Sequence, residues 1–150
     1  MHVLLAADAT WIVDEVTAAI GDPETSFVVC TEGREVARVV EDRGPFDVAI
    51  LDLQIGSMGG MAVTMSLRLD ESSGLLPHVP VLMLLDRVAD VHLAKRSGAD
   101  GWLVKPLDAL RIRRAVRAVT SGESYREGLV VETPAVADAE QADVVPAPSR

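Results

Sequence analysis

Short apolar runs alternate with amphipathic stretches five times along this chain, and that alternation constrains its fold more than any other feature. The runs fall at residues 3–7, 27–30, 48–51, 81–85 and 101–104, and they are apolar at nearly every position rather than at every second one. Strands of that kind are buried on both faces, which is the condition of a parallel sheet covered by helices on either side. Between them the spacing predicts helices at about 11–20, 32–42, 61–70, 88–97 and 108–121. The last has the clearest period: Ile112, Ala115, Val116 and Val119 recur at i, i+3, i+4 and i+7, with Arg113, Arg114 and Arg117 off that stripe. Gly21, Gly44, Gly98 and Gly122 stand near helix ends, where a left-handed residue commonly stops the coil.

A chain of 150 residues has room for one domain. The βα pattern ends near residue 121, which sets a domain over 1–121 and an acidic Pro/Ala/Val-rich tail over 122–150. Residues 127–150 hold three prolines and five acids against one arginine with no helical or alternating period, the composition of a mobile segment. That stretch carries −4 of the formal net charge of −9. A balance this acidic opposes broad contact with nucleic-acid phosphates or an anionic membrane surface, so no nucleic-acid partner is expected. The longest apolar stretch, residues 79–85, falls far short of the ~20 residues a membrane span needs. The N-terminus lacks the positive start of a signal peptide, and the lone Cys30 has no partner for an internal disulfide. A cytoplasmic protein without membrane insertion is expected. His2, His78 and His92 have no ligand spacing with one another or with Cys30, which argues against structural zinc.

In an open parallel sheet, chemistry gathers beyond the carboxyl ends of the strands, near the point where strand order reverses. The residues there are Asp8 after the first run, Asp52 after the third, Leu85 and Asp86 at the end of the fourth, and Lys105 with Pro106 after the fifth. An isolated acid at a strand end is more often simply solvated; two acids and an ammonium in convergence have a chemical logic. Carboxylates are hard ligands for Mg²⁺, a lysine is a point charge for a phosphoryl oxygen, and a carboxylate beside both can attack phosphorus in line. Trp11 is either a partner anchor or half-packed on its own domain, and the arginines at 111, 113, 114 and 117 read first as a solvated face.

The stretches FDVAILDLQIGSMGGM (46–61) and GADGWLVKP (98–106), in that order and spacing, resemble the phosphoacceptor and lysine-proline segments of the receiver domain of bacterial two-component response regulators. The resemblance covers residues 2 to about 121. It implies a flavodoxin-like (βα)5 α/β fold, a doubly wound five-stranded parallel sheet in the order 2-1-3-4-5. It implies Asp52 as phosphoacceptor, Lys105 as the lysine on the phosphoryl group, and Mg²⁺ held by Asp8, Asp52 and the backbone carbonyl of Gln54. Trp102 matches the aromatic that moves on activation. The implied partners are a sensor histidine kinase and an effector protein, and the family permits a homodimer through the fourth helix, fifth strand and fifth helix.

Departures from the family pattern are as informative. Ala7 replaces the second acid of the metal-binding pair and is expected to weaken Mg²⁺ binding. Gly56 and Gly59 replace a proline and an acid, freeing the loop after Asp52. Leu85 replaces the Thr or Ser whose hydroxyl binds the phosphoryl oxygen, a bond to a charged group worth roughly 1.5–3 kcal/mol. Asp86 replaces a small neutral residue; within about 6 Å of a phosphoryl group its repulsion is of order 3 kcal/mol. The plainer readings are that Leu85 extends an apolar strand and that Asp86 faces water, caps a helix or pairs with Lys105. The expected function is a phosphorelay response regulator acting through protein–protein contact, with no enzymatic activity beyond its own phosphorylation and slow dephosphorylation. The alternative is a phosphorylation-independent interaction module on the same fold. An aspartate-nucleophile phosphatase of the haloacid dehalogenase type is disfavoured by Gln54 where that family has its second acid, and a flavodoxin by the negative charge of Asp8 in the first loop.

Overall fold

The computed structural model describes residues 1–128. Six strands, β1 (His2–Ala6), β2 (Ser26–Cys30), β3 (Val48–Asp52), β4 (Val81–Leu85), β5 (Gly101–Val104) and β6 (Tyr125–Arg126), form one sheet. Five helices alternate with them: α1 (Thr10–Ile20), α2 (Val36–Arg43), α3 (Gly60–Ser72), α4 (Val91–Ser97) and α5 (Ala109–Thr120). Strand order is β2-β1-β3-β4-β5-β6 with every pairing parallel. The doubly wound flavodoxin-like architecture and the order 2-1-3-4-5 are therefore as expected.

Every residue of β3 and β4 is buried, as unbroken apolar runs require of strands covered on both faces. Alternate side chains feed opposite layers. Leu5, Ile50, Leu84 and Leu103 pack beneath α1 and α5, whereas Leu4, Ala6 and Leu51 pack toward α2 and α3. The α5 stripe of Ile112, Ala115, Val116 and Val119 is buried as its period predicts. That helix starts one residue later than expected because Asp108 caps it, its carboxylate accepting from the Arg111 amide at 2.9 Å. Residues 33–35 and 88–90, expected as first turns of α2 and α4, are 3₁₀ turns that lead into them. Of the helix-ending glycines, Gly98 (φ 90°) and Gly122 (φ 87°) are left-handed, while Gly21 and Gly44 are extended and let the chain leave directly.

The sheet departs from expectation at its edge. A sixth strand follows α5 and adds to β5, so the boundary expected at residue 121 falls inside the folded body. Two residues long and without an apolar run, β6 leaves no sequence signature of a strand; backbone pairing to β5 and the packing of Tyr125 on the core beneath α1 and α5 hold it. Gly101 makes the approach possible, because a Cβ there meets the Tyr125 carbonyl oxygen at 2.8 Å and the Tyr125 amide at 3.2 Å. The rest of the expected tail, residues 129–150, lies outside the described residues. Among those described, no helix is long and apolar enough to cross a membrane. Cys30 is buried, and burial pushes its thiol up to about 11, which suits core packing rather than reactivity.

Candidate functional site

Strand order reverses between β1 and β3, and a crevice opens outside their carboxyl ends. β3 delivers Asp52 there as its last residue, 3% exposed. Lys105 follows β5, its amide donating to the Leu85 carbonyl at 2.8 Å, so the backbone that fixes β5 beside β4 also aims the lysine. Its ammonium donates to Asp52 Oδ1 at 2.8 Å and to Asp86 Oδ1 at 2.7 Å. One cation thus serves two carboxylates, leaving the trio at a net charge of −1. Burial pulls the Lys105 pKa down, but hydrogen bonds to Asp52 and Asp86, with their charges, outweigh it and move it above the ordinary lysine value.

Asp86 is 37% exposed at its side chain. Of the plain readings offered by the sequence, Asp86 both faces water and pairs with Lys105, whereas Arg87 rather than Asp86 precedes the following turn as its cap residue. Leu85 is fully buried and packs in one cluster with Leu53, Met83, Val91, Ala94 and Trp102. The leucine therefore extends the apolar strand, and the position offers no hydroxyl to the crevice.

Asp8 is brought to the same end of the sheet but not onto Lys105. It is exposed, and its Oδ2 accepts from the Gly56 amide at 3.1 Å. A Cβ at Gly56 would stand 3.4 Å from the same oxygen, an ordinary contact, so the bond does not itself require glycine there. The freedom expected of Gly56 and Gly59 is not spent on unusual backbone, for the left-handed residue of the loop is Ser57 (φ 68°). Gln54 is exposed, and its amide lies 3.5 Å from Asp52 Oδ1. Asp52 Oδ2 accepts no hydrogen bond and is not among the buried unpartnered atoms, which among the described residues are represented only by Oδ2 of Asp90. It is the open oxygen of the site.

Among the described residues, no three or more His, Cys, Asp or Glu side chains are gathered into a metal-holding group. Asp8, Asp52 and a peptide carbonyl suit Mg²⁺ in kind, as hard oxygen donors, but they are too few to form a preassembled cage. Ala7, fully buried, adds nothing.

Two participants escape sequence reasoning. The half-exposed Trp11 on the first turn of α1 overhangs the site, with the Lys105 ammonium 5.7 Å from a ring centroid. Its position three residues after Asp8 was the available signal. Glu127 takes hold of Trp102, the indole N–H donating to its carbonyl at 2.9 Å. Nothing in the intervening 24 residues announces that pairing. The histidines do other work: His2 stacks on Phe46 at 4.3 Å, and His78 bonds Glu71 at 2.9 Å.

A buried aspartate and a lysine meet at the switch point of a doubly wound α/β domain, the arrangement of a receiver-type signalling domain. The family model for the response regulator receiver domain matches residues 3–117, and the chain belongs to that family. It is 33% identical over 122 residues to the response regulator protein PmrA of Pseudomonas aeruginosa, a match covering 80% of this chain and 52% of PmrA. The chain thus spans about half the length of that relative. It is 31% identical over 131 residues to the response regulatory protein Rv3143 of Mycobacterium tuberculosis, covering 83% of this chain and 95% of Rv3143. Among solved structures, the receiver domain of the sensor histidine kinase PA1611 from Pseudomonas aeruginosa, which has a magnesium ion in its active-site cleft, superposes with a TM-score of 0.66 at 18% identity. That match covers 80% of this chain and 97% of the other, and speaks for the fold alone.

Proposed function

We propose that this receiver accepts a phosphoryl group on Asp52 from a histidine kinase and passes the signal to an effector protein by direct contact, in the cytoplasm. The observation that carries the reading is the Lys105 ammonium 2.8 Å from the buried Asp52 carboxylate, with the other oxygen of that carboxylate open. In the transfer, Asp52 Oδ2 attacks phosphorus as the P–N bond of a phosphohistidine breaks. The products are an acyl phosphate and an imidazole that takes up a proton. Lys105 stays protonated, as its raised pKa favours, and holds the charge that develops on a phosphoryl oxygen. Asp8, Asp52 and the Gln54 carbonyl would hold Mg²⁺, which would neutralise phosphoryl charge; the magnesium ion in the cleft of the PA1611 receiver supports the choice of cation. With Ala7 in place of a second acid, Mg²⁺ affinity is set low. No turnover of an external substrate belongs to this reading, and the acidic surface offers nothing to nucleic acid.

The second reading, a receiver fold that acts without phosphate, draws on Asp86 at 2.7 Å from Lys105 and on Leu85 in place of a hydroxyl. Borohydride reduction after incubation with a small phosphodonor and Mg²⁺ separates the two, because it converts an aspartyl phosphate to homoserine. Homoserine at position 52 in the peptide carrying β3 is the expected result. Unmodified Asp52 throughout contradicts the proposal and leaves the phosphate-free module.

A further inference from the structure

One face of α3 turns to the core through Val63, Thr64 and Leu67. Its outer face is apolar as well. Met65 is 48% exposed and Leu69 69%, and the exposed Met58 and Ala62 continue the same line toward the loop after Asp52. Positions 58, 62, 65 and 69 have the spacing of one helical stripe. The exposed Leu75 stands just beyond the helix end. A helix that serves only its own domain carries one apolar stripe; a second, built partly from the adaptable thioethers of methionine, marks a contact surface.

The stripe also has ends of opposite charge on one flank. The Arg34 amide donates to Ser57 Oγ at 3.3 Å, so Arg34 stands beside Met58, at the start of the α2 side. Its guanidinium meets Glu32 at 3.1 Å, but both side chains are exposed, and water screens such a pair. At the other end of the stripe Asp70 follows Leu69. Arg68 reaches toward α4, to the Gly98 carbonyl and Asp100. Asp70, two residues or about 200° further round the helix, therefore lies on the opposite flank, the one that faces α2.

We propose that this face of α3 binds a second copy of the chain, the two helices packing antiparallel about a two-fold axis. A two-fold contact sets one patch against itself, so its two ends have to complement each other. The α3 stripe meets that condition. Met58 of one copy comes opposite Leu69 of the other, Ala62 opposite Met65, and Arg34 opposite Asp70, each pair occurring twice. Ala62 and Ser66, small and near the middle, let the helices approach. The surface is separate from the α4, β5 and α5 face through which the family resemblance permits a homodimer, and the proposal does not depend on whether Asp52 accepts phosphate. A contact confined to one helix face is small, which makes the pairing weak and dependent on concentration.

Sedimentation of the full chain from about 10 μM to 1 mM tests this, and a mass-action shift from one chain to two is expected. Met65→Glu, which brings like charges together near the axis, is expected to weaken the pairing at least tenfold. Leu110→Glu, at an exposed site on α5, is expected to leave it within twofold. Arg34→Glu and Asp70→Arg are each expected to weaken it about fivefold, and the two together to restore it to within about twofold of wild type. A single chain at every concentration, pairing that survives Met65→Glu or is lost in Leu110→Glu, or a double variant no better than the single ones overturns the proposal. If Met65→Glu lacks a cooperative thermal transition, Leu69→Glu takes its place under the same criteria.

Discussion

Lys105 divides its ammonium between Asp52 and Asp86, and the phosphorylation proposed for Asp52 has to work against that sharing. An incoming phosphoryl group must take the lysine from Asp86 and meet its negative charge. Asp86→Ala is therefore expected to raise the rate of Asp52 phosphorylation by a small phosphodonor about tenfold, the equivalent of roughly 1.4 kcal/mol. A rate within twofold of wild type means that Asp86 swings clear at no cost. Leu85 sets a second test. Leu85→Thr supplies the hydroxyl typical of receivers but places it in the cluster with Trp102 and Val91, and a loss of about 1–3 kcal/mol in chemical denaturation is expected. Asp8, Asp52 and Lys105 were legible as the residues that end apolar runs, since strand ends define where chemistry collects. The choice of Asp86 among water, a cap and Lys105 was not, because it depends on a side-chain direction across two strands.

At the scale of elements, five strands and five helices announced themselves through apolar runs and the 3.6-residue period. β6 did not, because it is only two residues long and the ties just after it, from Glu127 to Arg111 and Trp102, reach 16 and 25 residues back. Another polar tie that no period reveals lies at the far end of the sheet. Arg68 on α3 donates to Glu71 at 2.7 Å, to the Val79 carbonyl at 2.9 Å and to Asp100 at 2.5 Å, joining α3 to the starts of β4 and β5. Arg68→Ala takes the guanidinium from two partly buried carboxylates, which keep their bonds from His78 and the Val79 and Val81 amides, and is expected to cost about 1–3 kcal/mol by denaturant titration, whereas the exposed Arg38→Ala, whose partner is Asp42, is expected to cost under about 1 kcal/mol. Residues 122–128, tied back to Val104 and Arg111 through Glu127, form a clasp on the outer edge of β5 that has a pH signature. Burial alone raises the Glu127 pKa, but hydrogen bonds from Arg111 and the Val104 amide, with the Arg111 charge, bring it below the ordinary glutamate value. Asp108 and Tyr125 are the other titratable groups facing this pair, and Arg126 stands beside it. A lowered carboxyl pKa stabilises the clasp fully above the ordinary glutamate value and ceases to do so as pH falls through the lowered one. Trp102 emission in Trp11→Phe protein is expected to hold steady near neutrality and to red-shift in that acid window, with no such step in Glu127→Gln.

Across the molecule, the parallel sheet brings residues from positions 8, 52, 86 and 105 to one crevice, and it places the clasp on the outer edge of the same strand whose end bears Lys105. The order 2-1-3-4-5 came from family resemblance rather than from periodicity, since a repeating βα pattern alone does not say which strands are neighbours. Part of the acid excess falls at the crevice, which holds Asp52 and Asp86 against one lysine, with Asp8 nearby. On the proposed reading, a site so charged needs a cation's help to accept a phosphoryl group, and Ala7 would leave that cation few ligands. The most direct test is intact-mass measurement of the full chain after incubation with a small phosphodonor across graded Mg²⁺ concentrations, beside Asp52→Ala. The account predicts an added mass of about 80 Da, the size of one phosphoryl group, that rises with Mg²⁺ into the millimolar range and is absent from Asp52→Ala. No added mass at any Mg²⁺ concentration, or the same addition to Asp52→Ala, contradicts it.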